Sequence, residues 1–307
     1  AGIVLGADFL VKGAVVVARK CRVSSFVIGA VIVGIGTSLP ELVVSTVGAI
    51  GGNSEVAIGN VVGSNIFNVF AILGLTALFF PIAVSRENMK FEIPFCIAVS
   101  ILLMLLVYNF FVVGEPRLGR WDGAALLLVF TAFMWISLRR GKNSAAAVGE
   151  SVEEVNKSLW FAAFSILGGL AALIVSSNFF VDEAVAIARK LGVSDAFISI
   201  TLLACGTSLP ELAASVTAAV KKDTDMALGN IIGSNIFNVT MILGTASLIT
   251  PLTTGKIGLV DYGAMILAAV LPMIFGIRGK ITRIEGLLML LCYAAYTWYI
   301  VTYVMAV

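Results

Sequence analysis

Pro40 and Glu41 lie in the run Gly36-Thr37-Ser38-Leu39-Pro40-Glu41-Leu42, and the same seven residues return 170 positions later as Gly206-Thr207-Ser208-Leu209-Pro210-Glu211-Leu212. Each copy sits inside an apolar stretch long enough to cross a bilayer. A carboxylate is costly there, and a broken helix frees backbone carbonyls that need partners. Pro40 lacks an N–H and its ring clashes with the carbonyl four residues back, so the carbonyls from Gly34 to Thr37 cannot all bond within the helix. Carbonyls, hydroxyls and a carboxylate together form the oxygen set that Na⁺ and Ca²⁺ accept, with about six to eight oxygens at roughly 2.3–2.6 Å for Ca²⁺. In the next apolar segment Ser64 and Asn68 are i and i+4 and share a helical face. The second copy adds Thr207, Ser208, Glu211, Ser234 and Asn238. Asn60 or Asn65 would support the ligands from behind.

Two facing glutamates with no Lys, Arg or His in these segments would repel, so that one takes up a proton or both hold a cation. Two carboxylates neutralise one Ca²⁺. About three Na⁺ in their place would leave one positive charge, and such an exchange would be electrogenic.

Plainer readings of the same residues exist. Ser38-x-x-Glu41 fits a helix capping box, yet capping does not require burying a carboxylate at mid-membrane twice. Ser64 and Ser234 lie among glycines and could serve helix packing alone. Cys205 is read as a small packing residue, since Ile35 stands in the first copy. Asp8 and Lys12 are i and i+4 and read as an ion pair. Glu87, Glu92, Asp223, Asp225 and the acidic residues from Glu150 to Glu154 fall at segment ends or in loops, where they would be solvated.

The elements that must position these groups are membrane helices. The chain of 307 residues is 60% hydrophobic and 12% charged, with a mean hydropathy of +1.06. That composition excludes a soluble domain and predicts an all-α polytopic membrane protein. Continuous apolar runs exclude a β-barrel. The absence of histidine removes the usual proton shuttle, and four scattered cysteines make neither a CxxC metal site nor a disulfide framework.

Ten spans are predicted, near 1–19, 24–50, 55–80, 91–113, 121–139, 158–188, 194–220, 225–249, 258–277 and 283–305, with breaks in helices 2, 3, 7 and 8. They divide into a first five-helix repeat (1–140), a short cytoplasmic loop (141–157) and a second repeat (158–307). Beyond the seven-residue motif, Gly59 to Val69 returns as Gly229 to Val239 with only Val61/Ile231 and Val62/Ile232 changed. An odd number of spans per repeat inverts the second copy relative to the first, as in many secondary transporters. Fourteen Lys and Arg fall on one side and five on the other, which places the 141–157 loop in the cytoplasm and both termini outside. The sixth span maps by the offset to a position before Ala1, so the first span is expected to lack its N-terminal part and is not read as a signal peptide.

At these residues the chain resembles the cation/calcium exchanger superfamily, most closely its prokaryotic sodium/calcium exchanger branch. The resemblance rests on the two Gly-Thr-Ser-Leu-Pro-Glu segments, each followed at the same interval by Gly-Asn-x-x-Gly-Ser-Asn. It covers nearly the whole chain. It implies an antiporter of the cell membrane, not an enzyme, that exchanges Na⁺ for Ca²⁺ by alternating access. No cofactor and no nucleic acid would take part; its partners would be the two ions and the lipid bilayer, and it would work as a monomer. Glu41 and Glu211 would be the central ligands, with carbonyls from Thr37 and Thr207. Gly34 and Ala204 would offer carbonyls to flanking Na⁺ sites, Ser38, Ser64, Ser208 and Ser234 hydroxyls, and Asn68 and Asn238 would flank the middle site. The first and sixth spans would slide against the other eight.

Some prokaryotic members carry Asp where this chain has Asn238, so two acidic groups stand here in place of three. The large cytoplasmic insertion of animal members is absent, and the motifs differ from the Gly-Asn-x-x-Glu pattern of the proton-coupled branch. A H⁺/Ca²⁺ or K⁺-dependent Na⁺/Ca²⁺ exchanger is the neighbouring alternative. A cation channel lined by the same oxygens is a further one. An intramembrane serine hydrolase would need a base that neither motif supplies.

Overall fold

The structure, a computed structural model, describes residues 1–108, 116–143, 158–191 and 204–304. Their architecture is all-helical, with only four two-residue strands. The first half comprises α1 (Gly2–Cys21), α2 (Ser25–Thr37), α3 (Leu39–Ile50), α4 (Ser54–Phe79), α5 (Arg86–Tyr108) and α6 (Arg120–Asn143). The second comprises α7 (Leu159–Lys190), α8 (Leu209–Val220), α9 (Thr224–Ile249), α10 (Leu259–Gly276) and α11 (Arg283–Thr302), with a helical turn Ala204–Gly206 before α8. Among the described residues seven helices are long and apolar enough to cross a bilayer, and α2 with α3 makes an eighth, bent by 46°. The expected first span is α1, which carries Asp8, Lys12, Arg19 and Lys20. The expected seventh is only partly visible as α8, because 194–203 lie outside the described residues.

Local chemistry sets the ends. Arg22, at φ 50°, closes α1 with its N–H on the Ala18 and Arg19 carbonyls. Ser24, Ser158 and Asp223 cap the N-termini of α2, α7 and α9 through side-chain oxygens. Thr282 and Glu285 form a capping box on α11. The tight turns after α3 and α8 each need a left-handed residue, supplied by Gly52 (φ 79°) and, 170 residues on, by Lys222 (φ 65°). Short antiparallel ribbons tie the two halves together. Ile82–Ala83 pairs with Lys280–Ile281, and Arg117–Leu118 pairs with Leu252–Thr253.

The apolar windows of α4 and α9 are 78% and 83% buried, against 22% for α6 and α7 and 11% for α11. The first two are therefore the central helices, and the others turn much of their apolar surface outward, as lipid contact requires. Trp121, Trp160 and Trp298 are among the most exposed side chains, near helix ends where an interfacial indole belongs. α1 and α7 run along each other over their length. A side-chain carbon added to Gly169 would meet the Leu10 nitrogen at 2.6 Å, and one at Gly6 the Gly169 carbonyl at 2.9 Å, so the two backbones touch.

Three expectations are corrected. α4 and α9 do not break; each runs on through a π-helical turn, Asn68–Leu73 and Asn238–Ile242. Neither has a proline inside it, and one π turn absorbs the distortion without releasing the ladder. α6 extends to Asn143, past the expected start of the loop, because the Gly141 carbonyl accepts the Ser24 N–H and Gly141 lies against Val23 and Val27. Glu92 is buried rather than solvated, and Asp225 accepts a hydrogen bond from Asn88 Nδ2 at 2.9 Å. Residues 109–113 and 144–157, which hold the end of the fourth span and nearly all of the expected loop, lie outside the described residues.

Candidate functional site

The bend between α2 and α3 falls at Ser38, whose backbone (φ −86°, ψ 10°) leaves the helical region, with Pro40 at the second position of α3. Ser208 repeats it before α8 (φ −92°, ψ 9°). Neither serine caps its helix through its side chain. The capping box is therefore not what Ser38 and Glu41 make. Instead Ser38 Oγ donates to Glu211 Oε1 at 2.8 Å, and Ser208 Oγ donates to Glu41 Oε1 at 2.9 Å. Each glutamate takes its donor from the opposite half of the chain. In both cases the hydroxyl gives its proton to a carboxyl oxygen.

All four side chains are fully buried. Ser38 and Ser208, each three residues before its own glutamate, bond to the other one, so the two carboxyl groups stand at one junction. No Lys or Arg occurs from residue 24 to 79 or from 204 to 220. Among the described residues the second oxygen of each glutamate, Glu41 Oε2 and Glu211 Oε2, is buried without a hydrogen-bond partner, as are Asn68 Oδ1, Asn238 Oδ1, Ser64 Oγ and Thr207 Oγ1. Buried acceptors are normally satisfied, so each exception needs a physical cause. Oxygen atoms lacking donors, beside two carboxylates, are what a cation would satisfy. Among the described residues no cluster of three or more His, Cys, Asp or Glu could hold a metal. A cation here would therefore meet two carboxylates, with neutral oxygens to complete its set.

Thr37 Oγ1 is within 3.0 Å of the Val33 carbonyl and 3.3 Å of both the Gly34 carbonyl and Asn230 Oδ1, of which its single proton serves one. Gly34 O also accepts from Ser234 Oγ at 3.2 Å and from the Ser38 N–H at 3.1 Å, so it is engaged rather than free. The close approach needs glycine, since a side-chain carbon at Gly34 would lie 3.1 Å from the Ser234 nitrogen. Ser64, the counterpart of Ser234, has no such partner among the described residues. Ala204 opens the turn before Thr207. The other sequence-chosen residues gather where α3 packs on α4, α8 packs on α9, and the π turns of α4 and α9 lie against α8 and α3.

Support from behind is also two-fold. Asn60 Nδ2 donates to the Glu41 carbonyl (3.3 Å) and to Ser45 Oγ (3.0 Å); Asn230 Nδ2 donates to the Glu211 carbonyl (3.2 Å) and to Ser215 Oγ (2.8 Å). Sequence reasoning missed Ser45 and Ser215, although each lies one helical turn beyond a glutamate and recurs at the same offset. It also missed Asn235 and its partnership with Asn65. The Asp8–Lys12 ion pair is present at 2.6 Å, and Lys221, beyond the end of α8, joins it at 2.7 Å. Cys205 Sγ lies 3.3 Å from the Tyr293 hydroxyl.

The family model described as sodium/calcium exchanger protein matches residues 1–139 and 161–302. Sodium/calcium exchanger MaX1 of Methanosarcina acetivorans is 35% identical over 328 aligned positions, covering 96% of this chain and 94% of its own. The inner membrane protein YrbG of Escherichia coli is 34% identical, covering 88% and 83%. Among solved structures, the sodium-calcium exchanger NCX_Mj soaked with Na⁺ in the absence of Ca²⁺ superposes with a TM-score of 0.83 at 33% identity, over 98% of this chain and 95% of that one. The chain therefore belongs to the sodium/calcium exchanger family, whose members are membrane antiporters and not enzymes.

Proposed function

We propose that the protein exchanges Na⁺ for Ca²⁺ across the cell membrane at the site formed by Glu41 and Glu211, with no cofactor. The observation that carries this reading is the crossed pair of serine–glutamate bonds, which leaves one unpartnered oxygen on each buried carboxylate beside unpartnered Asn68 and Asn238 oxygens. One Ca²⁺ neutralises both carboxylates. Na⁺ takes its place by adding the hydroxyls of Ser38, Ser208, Ser64 and Ser234 and the carbonyls of Ala204, Thr37 and Thr207 to the set, with that of Gly34 joining once Ser234 Oγ turns from it. A divalent ion answered by about three monovalent ones moves net charge, so the exchange is electrogenic.

Access alternates between the two sides. α1 and α7, joined backbone to backbone, slide over the other helices as one body, within a single chain whose termini face outside. The two halves, 1–140 and 158–307, act as inverted copies joined by the 141–157 connection. In proteoliposomes an outward Na⁺ gradient should drive ⁴⁵Ca²⁺ uptake, and Glu41→Gln or Glu211→Gln should abolish it. Uptake indifferent to Na⁺ but driven by a pH gradient would replace this reading with proton exchange.

A further inference from the structure

We propose that Asn65 and Asn235 are positioning residues that fix which way round the amides of Asn68 and Asn238 stand, so that two carbonyl oxygens rather than two NH₂ groups face the cation. This rests on the reading that Asn68 and Asn238 are ion ligands. A backbone carbonyl can only accept. Asn65 Nδ2 lies 3.1 Å from the Asn235 carbonyl, and Asn235 Nδ2 lies 3.2 Å from the Asn65 carbonyl. Each of these side chains must therefore turn its NH₂ toward the opposite central helix. Each Oδ1 is then an acceptor on the other side. The Asn238 amide atom 3.0 Å from Asn65 Oδ1 must be Nδ2, and likewise the Asn68 atom 3.0 Å from Asn235 Oδ1.

The remaining ends, Asn68 Oδ1 and Asn238 Oδ1, are buried without a protein partner. All four asparagines are at most 3% exposed, so bulk water is not at hand to satisfy a reversed arrangement. Reversal of Asn238 would set its oxygen against Asn65 Oδ1, two acceptors face to face, and would aim an NH₂ group at the cation. Asparagine alone supplies a donor and an acceptor at this reach, and the relay runs once in each direction between α4 and α9.

The test is Na⁺-gradient-driven ⁴⁵Ca²⁺ uptake in proteoliposomes holding the full chain. Asn65→Leu, of similar size but with neither donor nor acceptor, should raise the half-saturating Ca²⁺ concentration roughly tenfold while the maximal rate stays within about twofold. Asn235→Leu should do the same. Asn238→Asp should lower that concentration more in the Asn65→Leu background than in the native one. A carboxylate presents an acceptor either way round, whereas in the native chain its second oxygen meets Asn65 Oδ1. Asn65→Ala, which adds no bulk, reads the same split should the leucine variant not fold, and Asn238→Asp alone can be measured whichever of these folds. An unchanged Ca²⁺ half-saturation in the Asn65 variants, a loss of maximal rate without a change in half-saturation, or failure of Asn238→Asp alone to show the smaller gain would overturn the proposal. Glu211→Gln in the same preparation separates the two levels of inference. If it still exchanges, the cation site itself is misplaced; if it is inactive while Asn65→Leu behaves as native, only the orienting role fails.

Discussion

Replacing Ser208 by alanine should separate the two ions. Ser208 is fully buried and its hydroxyl donates to Glu41 Oε1 at 2.9 Å, while Glu41 Oε2 has no partner. A hydrogen bond to a charged group is worth about 1.5–3 kcal/mol net. In the empty site this bond occupies Glu41 Oε1; a Ca²⁺ ion that takes Oε1 as well as the unpartnered Oε2 would have to compete with it. Its removal therefore favours Ca²⁺ by up to about ten- to a hundredfold in half-saturation. Na⁺ is affected in the opposite sense, because in the proposed scheme the Ser208 hydroxyl is one of its ligands. The ratio of half-saturating Na⁺ to half-saturating Ca²⁺ should rise at least about tenfold, one factor of about 1.4 kcal/mol. The assay is initial ⁴⁵Ca²⁺ uptake into proteoliposomes, with external Ca²⁺ and internal Na⁺ titrated separately. Ser38→Ala should reproduce the shift, since Ser38 holds Glu211 at 2.8 Å in the same way. If both half-saturation constants rise in parallel, or neither moves, the serines do not discriminate between the ions and the reasoning is wrong.

Ca²⁺ should protect the detergent-solubilised protein against heat, by about 2.7 kcal/mol at a hundred times its dissociation constant, and Glu41→Gln should remove that protection; a thermal shift unaltered by the substitution would place the ion elsewhere. Gly169→Val should cost about 1–3 kcal/mol of stability or more, since its side chain would enter the Leu10 backbone 2.6 Å away, and a native melting profile would contradict the backbone contact of α1 with α7. Asp8→Asn should change the maximal exchange rate by less than about fivefold and leave Ca²⁺ half-saturation alone, because its pairs with Lys12 and Lys221 are partly exposed; a large affinity change would mean Asp8 belongs to the ion path. Ser215→Ala should lower stability by about 1 kcal/mol through the lost Asn230 bond without altering the Na⁺ to Ca²⁺ ratio, and a ratio shift like that of Ser208→Ala would count against the division of roles.

The elements of this fold were legible because apolar length and repeated motifs carry strong signals. The segments expected at 55–80 and 225–249 appear as Ser54–Phe79 and Thr224–Ile249. Glu41 and Glu211 stood out because an apolar run tolerates a carboxylate beside a proline only where something offsets its charge. Which donor each would find was not legible. Ser38-x-x-Glu41 fits a local cap, and only the three-dimensional meeting of the halves brings Ser208 to Glu41 instead. The π turns were hidden for a related reason: no residue type enforces them, whereas Pro40 and Pro210 announce the bends at Ser38 and Ser208. Glu92 illustrates the limit of position along the chain, since a residue near a helix start reads as solvated until its neighbours are known. The asparagine relay needed coordinates, because spacing cannot reveal which backbone carbonyl fixes which amide.

The polar contacts of the site fall into two sets with different consequences. Asn60 with Ser45, and Asn230 with Ser215, stay within one half of the chain and fasten each glutamate-bearing helix to its neighbour. Ser38–Glu211, Ser208–Glu41, Ser234–Gly34 and the asparagine relay all cross between halves. Both carboxylates of the site therefore stand at a junction, and a cation there would be held by both halves at once. A ligand shifts a conformational equilibrium only by the difference in its affinity for the two states. In the proposed motion every ligand stands on the helices over which α1 and α7 slide, so the two states would differ in which side of the ligand set those two helices leave open. The within-half contacts keep each glutamate in register and the contacts between halves hold the two carboxylates at one site, which in the proposed scheme lets one pair serve both ions.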